Sequence, residues 1–267
     1  KKGYVYSYDM LGEGARTMED AERYYQHYLS AIHAIGKAAK GRGPIKSPGI
    51  SVKLSAIHPR YEFSHRERVM TELLPKLKEL VLVAKSYDIG FTVDAEEADR
   101  LDLSLDIIEA VFSDDALGDW GGFGLAVQAY QKRALFVIEW LVQLARRVKR
   151  PLMVRLVKGA YWDTEIKTTQ QKGLDHYPVF TRKASTDVCY KACAIKLLEA
   201  RDVLYPQFAT HNAYTAATIL EVAKGDHSGF EFQRLHGMGE SLFDQIVSSE
   251  KIQCRVYAPV GEHENLL

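Results

Sequence analysis

This chain has no apolar run of membrane-spanning length, no surplus of either charge, and only three cysteines. A spanning helix needs roughly 18–20 predominantly apolar residues, and none is found. The opening Lys1–Tyr8 also lacks the apolar stretch of a signal peptide. With 35 basic and 35 acidic residues, no field of one sign marks a nucleic acid or other polyanion as partner. Cys189, Cys193 and Cys254 show no metal-ligating spacing. They read as buried structural thiols in a reducing compartment, Cys189 and Cys193 four apart in a helix. No GxGxxG follows the first β-rich run, which weighs against a dinucleotide-binding open sheet. Neither GxSxG nor a Ser-His-Asp order is present, which weighs against acyl transfer. His58, His211 and His236 are not paired on any one strand or helix, so a metal-dependent hydrolase has little support. No Met opens the sequence, and we expect a piece of a longer polypeptide.

What the chain does have is a core. With 46% hydrophobic residues over 267 positions, it suits a single domain, 1–267, of the size of an α/β barrel. Eight short β-rich runs recur: Tyr4–Tyr8, Gly49–Leu54, Gly90–Asp94, Gly124–Gln128, Leu152–Val157, Val203–Thr210, Phe230–Leu235 and Arg255–Val260. Some are almost wholly apolar, LMVRLV being the clearest, as expected of parallel strands covered on their outer face. Helical periodicity predicts helices over Thr17–Lys40, Arg66–Tyr87, Ser104–Phe112, Lys132–Val148, Ser185–Ala200 and Thr215–Ala223. The first begins at Thr17 with Asp20 three residues on, an N-cap signature. Alternation of this kind predicts an α/β fold, a (β/α)8 TIM-like barrel lacking its last helix, since the sequence stops soon after the eighth run.

Chemistry in such barrels sits at the carboxyl ends of the strands, and polar residues collect there. In order they are Asp9 and Glu13, Lys53, Asp94 with Glu96 and Glu97, Gln128, Arg155 and Lys158, His211 and Asn212, Gln233 and His236, and Tyr257. A cation among strand apolars is costly unless it is paired or liganded. Their convergence therefore predicts a large, charged ligand site. Lys53 or Lys158 would serve as the Schiff-base lysine of a barrel aldolase if a nearby cation such as Arg155 lowered its pKa. Alternatively, RLVKGAYW binds an anionic cofactor: Arg155 and Lys158 for charge, Gly159 for close approach, Tyr161 and Trp162 for stacking.

The motifs DMLGE, GRG…PGISVKLSAIHPRY, DAEEADR, VQAYQKR, RLVKGAYWD, YPQFATHN, FEFQRLHGMGE and YAPVGEHE resemble the proline dehydrogenase domain of bacterial proline utilization A proteins. The resemblance runs from end to end. Monofunctional proline dehydrogenases match a sparser set of positions. The resemblance implies a distorted barrel holding FAD, which oxidises L-proline to Δ1-pyrroline-5-carboxylate by hydride transfer to the flavin and passes electrons to a quinone. It also implies a bacterial cytoplasmic protein in proline catabolism, peripherally associated with the inner membrane, with a fused aldehyde dehydrogenase module.

Carried over motif by motif, Lys53, Asp94, Arg155 and Tyr257 are implied as catalytic. Lys53 lies near the proline carboxylate, and Asp94, Tyr161, Leu235 and Tyr257 enclose the ring. Implied flavin contacts are Gln128 at the pyrimidine edge, Arg155 beside the isoalloxazine, and Lys158, Gly159 and Trp162, the last on the adenine side. Thr181, Arg182, Lys183, His211, Asn212, Gln233 and Leu235 complete that set. No general base is assigned. In the family, a helix after YAPVG supplies two arginines that clamp the substrate carboxylate, and they are not in this sequence. Without them proline affinity is expected to fall by about 2–5 kcal/mol, leaving a barrel that binds FAD without turnover as an alternative.

Overall fold

A computed structural model describes residues 3–261. Eight parallel strands follow one another in chain order around a closed barrel: β1 (Tyr4–Met10), β2 (Gly49–Val52), β3 (Phe91–Val93), β4 (Phe123–Gln128), β5 (Leu152–Val157), β6 (Leu204–Ala209), β7 (Glu231–Leu235) and β8 (Cys254–Val260). The helices are α1 (Met18–Ala39), α2 (Arg66–Ser86), α3 (Leu101–Phe112), α4 (Ala134–Val148), α5 (Trp162–Gln171), α6 (Lys183–Glu199), α7 (Ala213–Ala223) and α8 (Glu240–Ser249). The expected absence of a helix after β8 concerns chain outside the described residues.

Two compact units make up the chain. The first holds Val5–Ala95, Asp99–Leu125 and the chain from Val256; the second holds the chain up to Tyr4, Glu96–Ala98 and Ala126–Arg255. In the first, β1, β2 and β3 are in register with Asp9 beside Ser51 and Ser51 beside Thr92. Side chains alternate across a strand. Ser7 and Ser51 accordingly meet inside, hydroxyl to hydroxyl at 3.1 Å, while the apolar residues between them meet the helices. Helix α1 begins with a complete capping box, in which Thr17 accepts from the Asp20 N–H and Asp20 from that of Thr17. On α2, Val69, Leu73, Leu77, Leu80 and Ala84 are all buried, the stripe that their spacing predicts. In the second unit β5, β6 and β7 place Arg155 beside Gln207 and Gln207 beside Glu231.

The sequence reading errs at three kinds of place. Two helices were not expected. In α5 only Glu165 and Thr169 are buried, so it has no apolar stripe to read, and α8 is anchored by Phe243 and Ile246 alone. The second run ends early: Leu54 belongs to a short 3-10 turn, Leu54–Ala56, with Lys53 as its N-cap. Likewise Asp94 follows β3 and does not close it. The first run, by contrast, extends to Met10 and takes Asp9 into the strand.

Helix α1 approaches the chain after α2 at Gly36, where a Cβ would overlap the Tyr87 ring. Gly36→Ala gains about 1 kcal/mol in helix propensity, but overpacking costs about 1–3 kcal/mol. We expect net destabilisation, read as a lower urea midpoint, whereas an exposed helical glycine would give the opposite sign.

Candidate active site

In the first unit, β1, β2, β3 and the β8 stretch bring four polar side chains together. Lys53 Nζ donates to both oxygens of Asp9, at 3.0 and 3.2 Å, and to Asp94 Oδ2 at 3.3 Å. The Tyr257 hydroxyl donates to the same Asp94 oxygen at 2.7 Å and lies 3.4 Å from Lys53 Nζ. Tyr28, buried on α1, accepts the Lys53 backbone N–H at 3.2 Å. The 3-10 turn matters here, because it lets Lys53 end the strand with its stem inside and its amine among carboxylates. Burial works against that charge, but Asp94, Tyr257 and Asp9 outweigh it and push the lysine above its ordinary value. Burial raises the Asp9 carboxyl; Lys53 opposes the rise and Asp94 adds to it. A lysine held this firmly charged is not the neutral nucleophile a Schiff base needs. At Lys53 the aldolase reading therefore fails.

The second unit gathers most of the remaining residues. Arg155 Nε donates to Gln233 Oε1 at 2.8 Å, both buried. Gln128 donates to the Glu96 carbonyl at 2.8 Å and accepts the Ala160 N–H at 3.2 Å. Lys158 and Lys183 both donate to Asp187, at 2.5 and 2.6 Å. Hydrogen bonds first from Lys158 and then from Lys183 hold that carboxyl below its usual range. Lys158 is thus committed to an ion pair as well. Arg182 is the N-cap of α6 in extended conformation with no side-chain cap, so the helix start with Thr181 and Lys183 is open to an anion. Trp162 donates its indole N–H to the Phe180 carbonyl at 2.9 Å while its ring stays exposed.

For three residues the structure adds a packing reason. Gly159 has φ 140° and a Cβ there would overlap the Tyr130 ring, so the close approach is first of all that ring's. The Tyr130 hydroxyl accepts the Tyr161 N–H at 3.3 Å. Asn212 is the N-cap of α7, accepting from the Thr215 N–H at 2.9 Å. His211 accepts the Leu235 N–H on Nε2 at 2.9 Å, and burial followed by Arg234 pushes its pKa down.

Asp9, read among the strand-end polar residues but given no role by the resemblance, lies closer to Lys53 than Asp94 does. Glu231 was missed. It is fully buried and paired with Arg255 at 2.7 Å, and the only hint was a charge among the apolar residues of FEFQRL. Asp187 could have been read from its i,i+4 spacing to Lys183. Among the described residues, no group of three or more His, Cys, Asp or Glu side chains is arranged to hold a metal ion. Nor is any helix among them long and apolar enough to cross a membrane.

A closed parallel barrel with charged groups at the ends of successive strands is the architecture of a (β/α)8 enzyme. The family model described as proline dehydrogenase matches residues 1–267, and the chain belongs to that family. It is 56% identical over 274 residues to a bifunctional protein PutA from Klebsiella aerogenes, covering 100% of this chain and 21% of that protein. The crystal structure of a mutant proline utilization A from Bradyrhizobium japonicum superimposes with a TM-score of 0.95 at 62% identity, covering 99% of this chain and 27% of that one. A proline utilization A from Bdellovibrio bacteriovorus, inactivated by N-propargylglycine, gives 0.93 at 27% identity, covering 99% of this chain and 29% of the other. The chain thus spans about a fifth of the length of the curated bifunctional relatives it matches.

Two outcomes follow for the charged groups. Lys53→Met leaves two buried carboxyls without their cation and should cost about 3–5 kcal/mol. Both would bind protons more tightly folded than unfolded, so the variant should lose stability as pH rises through the carboxylate range. Melting temperatures at pH 5 and pH 8 test this; an unchanged difference from the parent would refute it. For His211 the sign is opposite. A depressed folded pKa contributes stability above the ordinary imidazole value of 6.5, and that contribution is lost as pH falls through the folded pKa. The Leu235 amide should then lose protection against exchange relative to its intrinsic rate at the same pH, and His211→Phe should abolish this pH dependence of stability.

Proposed function

We propose that this chain is the FAD-dependent proline dehydrogenase part of a longer bifunctional protein, oxidising L-proline to Δ1-pyrroline-5-carboxylate. One observation carries the reading. Three residues that the resemblance marks as substrate-binding, Lys53, Asp94 and Tyr257, come from three separate strand ends and meet within 3.4 Å.

The donor set of the second unit fits a flavin dinucleotide. Beyond its bonds to Glu96 and Ala160, Gln128 has one N–H and one oxygen lone pair left for a pyrimidine edge, and Arg155 with Gln233 supplies donors for the ring. Thr181, Arg182 and Lys183 at the uncapped start of α6, with Lys158 joined to Lys183 through Asp187, suit a pyrophosphate. Trp162 offers a stacking face toward adenine, and Gly159, His211, Asn212 and Leu235 line the rest. When bound, FAD supplies the acceptor for the hydride that leaves the carbon beside the proline nitrogen. The protein's own work is positioning and desolvation, which account for most of the acceleration without a dedicated base. Lys53 orients the carboxylate side of the substrate. Asp94 holds the Tyr257 hydroxyl, so that the phenol ring is set for the pyrrolidine; the resemblance assigns Tyr161 and Leu235 to the same ring. The nitrogen gives up its proton to solvent as the hydride departs. We propose a quinone as the onward electron acceptor, peripheral contact with a membrane as its source, and a fused aldehyde dehydrogenase as consumer of the product.

The full-length protein should be yellow, its flavin absorbance bleached by proline without oxygen and restored by a quinone. N-propargylglycine should inactivate it irreversibly. Protein that folds but takes up no added FAD would sink the proposal.

A further inference from the structure

Glu231 has no part in the chemistry so far, yet its carboxylate is surrounded by polar groups of the second unit. Its carboxylate accepts from Gln207 Nε2 at 2.8 Å, Gln233 Nε2 at 2.9 Å, Arg255 Nε at 2.7 Å and Gln253 Nε2 at 2.6 Å. The side chain is fully buried, and so are Gln207, Gln233, Arg155 and Arg255.

We propose that Glu231 is a positioning residue for Arg155: it fixes the direction of the Gln233 amide, and the amide fixes the guanidinium. This rests on the reading of Arg155 and Gln233 as flavin-binding residues. Glu231 and Gln233 are two apart on β7 and so share a face of the strand. A carboxylate only accepts hydrogen bonds and a guanidinium only donates them. The Gln233 amide between them has one satisfied orientation, NH2 toward Glu231 and C=O toward Arg155 Nε, and this is the orientation found. With the amide reversed, two oxygens would face each other at one end and two N–H donors at the other. Each clash in a buried site outweighs a normal hydrogen bond. Arg255 pairs with Glu231 through two nitrogens, at 2.7 and 3.2 Å, which fixes the carboxylate plane that starts the relay.

The relay is broken most gently by Glu231→Gln, which keeps shape and allows the 233 amide to turn over. In crystals of the flavin-free protein, Arg155 Nε should then leave Gln233 Oε1. In the FAD-loaded full-length protein, the flavin absorption band and midpoint potential should shift. The kcat should fall on the order of tenfold while KM for proline changes little. In an Arg155→Met background the same substitution should add nothing to the spectral or kinetic change. Additive effects, or an unmoved Arg155 in the flavin-free structure, would overturn the proposal. If Glu231→Gln alone does not fold, Glu231→Gln with Arg255→Gln removes the ion pair as a unit, and the same two readouts decide. A wild-type protein that takes up no FAD fails the flavin reading instead, and the flavin-free structure still tests the relay.

Discussion

The pairing of Lys53 with two carboxylates constrains much of the first unit. An ammonium taken out of water needs its partners in place before the fold closes around it. Asp9 must therefore stay within β1, one level from the lysine, while β2 must end at Val52 so that Lys53 can turn upward into the 3-10 segment. Tyr28 then receives the backbone N–H that the ended strand no longer uses. Small hydroxyl residues fill the level beneath: Ser7, Ser51 and Thr92 are all buried. Larger side chains there would push the charged level apart.

The second unit meets the same difficulty in another way. Its fully buried carboxylate, Glu231, is surrounded by fixed donors on β6, β7 and β8 and the chain before β8. The carboxylate is held from several sides, although the buried Gln207 Oε1 of the same network has no hydrogen-bond partner; such a cluster favours one arrangement, and its rigidity suits the flavin contacts proposed for Arg155 and Gln233. The Lys53 cluster is smaller and partly open, with the lysine side chain 14% exposed. An arriving polar group can compete for such a site.

Local pattern made the scaffold readable. The run LMVRLV matches β5 to the residue, because a strand buried on both sides has nothing but apolar side chains to show apart from its one cation. The capping box and the α2 stripe were legible for the same reason, each being a relation within a few neighbouring residues. The strand-end polar residues showed that a site existed. Which of them pair could not be read. Asp9 lies 44 residues from Lys53 and Tyr257 lies 204 from it, and register around a sheet sets those meetings. At Gly159 the spacing gave no sign of a further constraint: a Cβ there would overlap the Tyr130 ring. Helix α5 was hidden because its polar sequence packs so few side chains that no period forms.

Charge balance adds a constraint on substrate. Lys53 brings one positive charge to two carboxylates, and burial raises the Asp9 carboxyl while Lys53 opposes the rise. A carboxylate anion entering such a cluster would find the lysine's donors largely taken. An ammonium or a neutral amine would find acceptors ready. For a zwitterionic amino acid Lys53 can therefore orient the carboxylate end but not hold it alone, and that end requires further cations. On the family resemblance, an arginine pair clamps that end, and a bidentate guanidinium is the strongest partner a carboxylate can have. Lys53 then acts less as the anion's main ligand than as the counter-charge that keeps Asp9 and Asp94 in place, with Tyr257 set by Asp94.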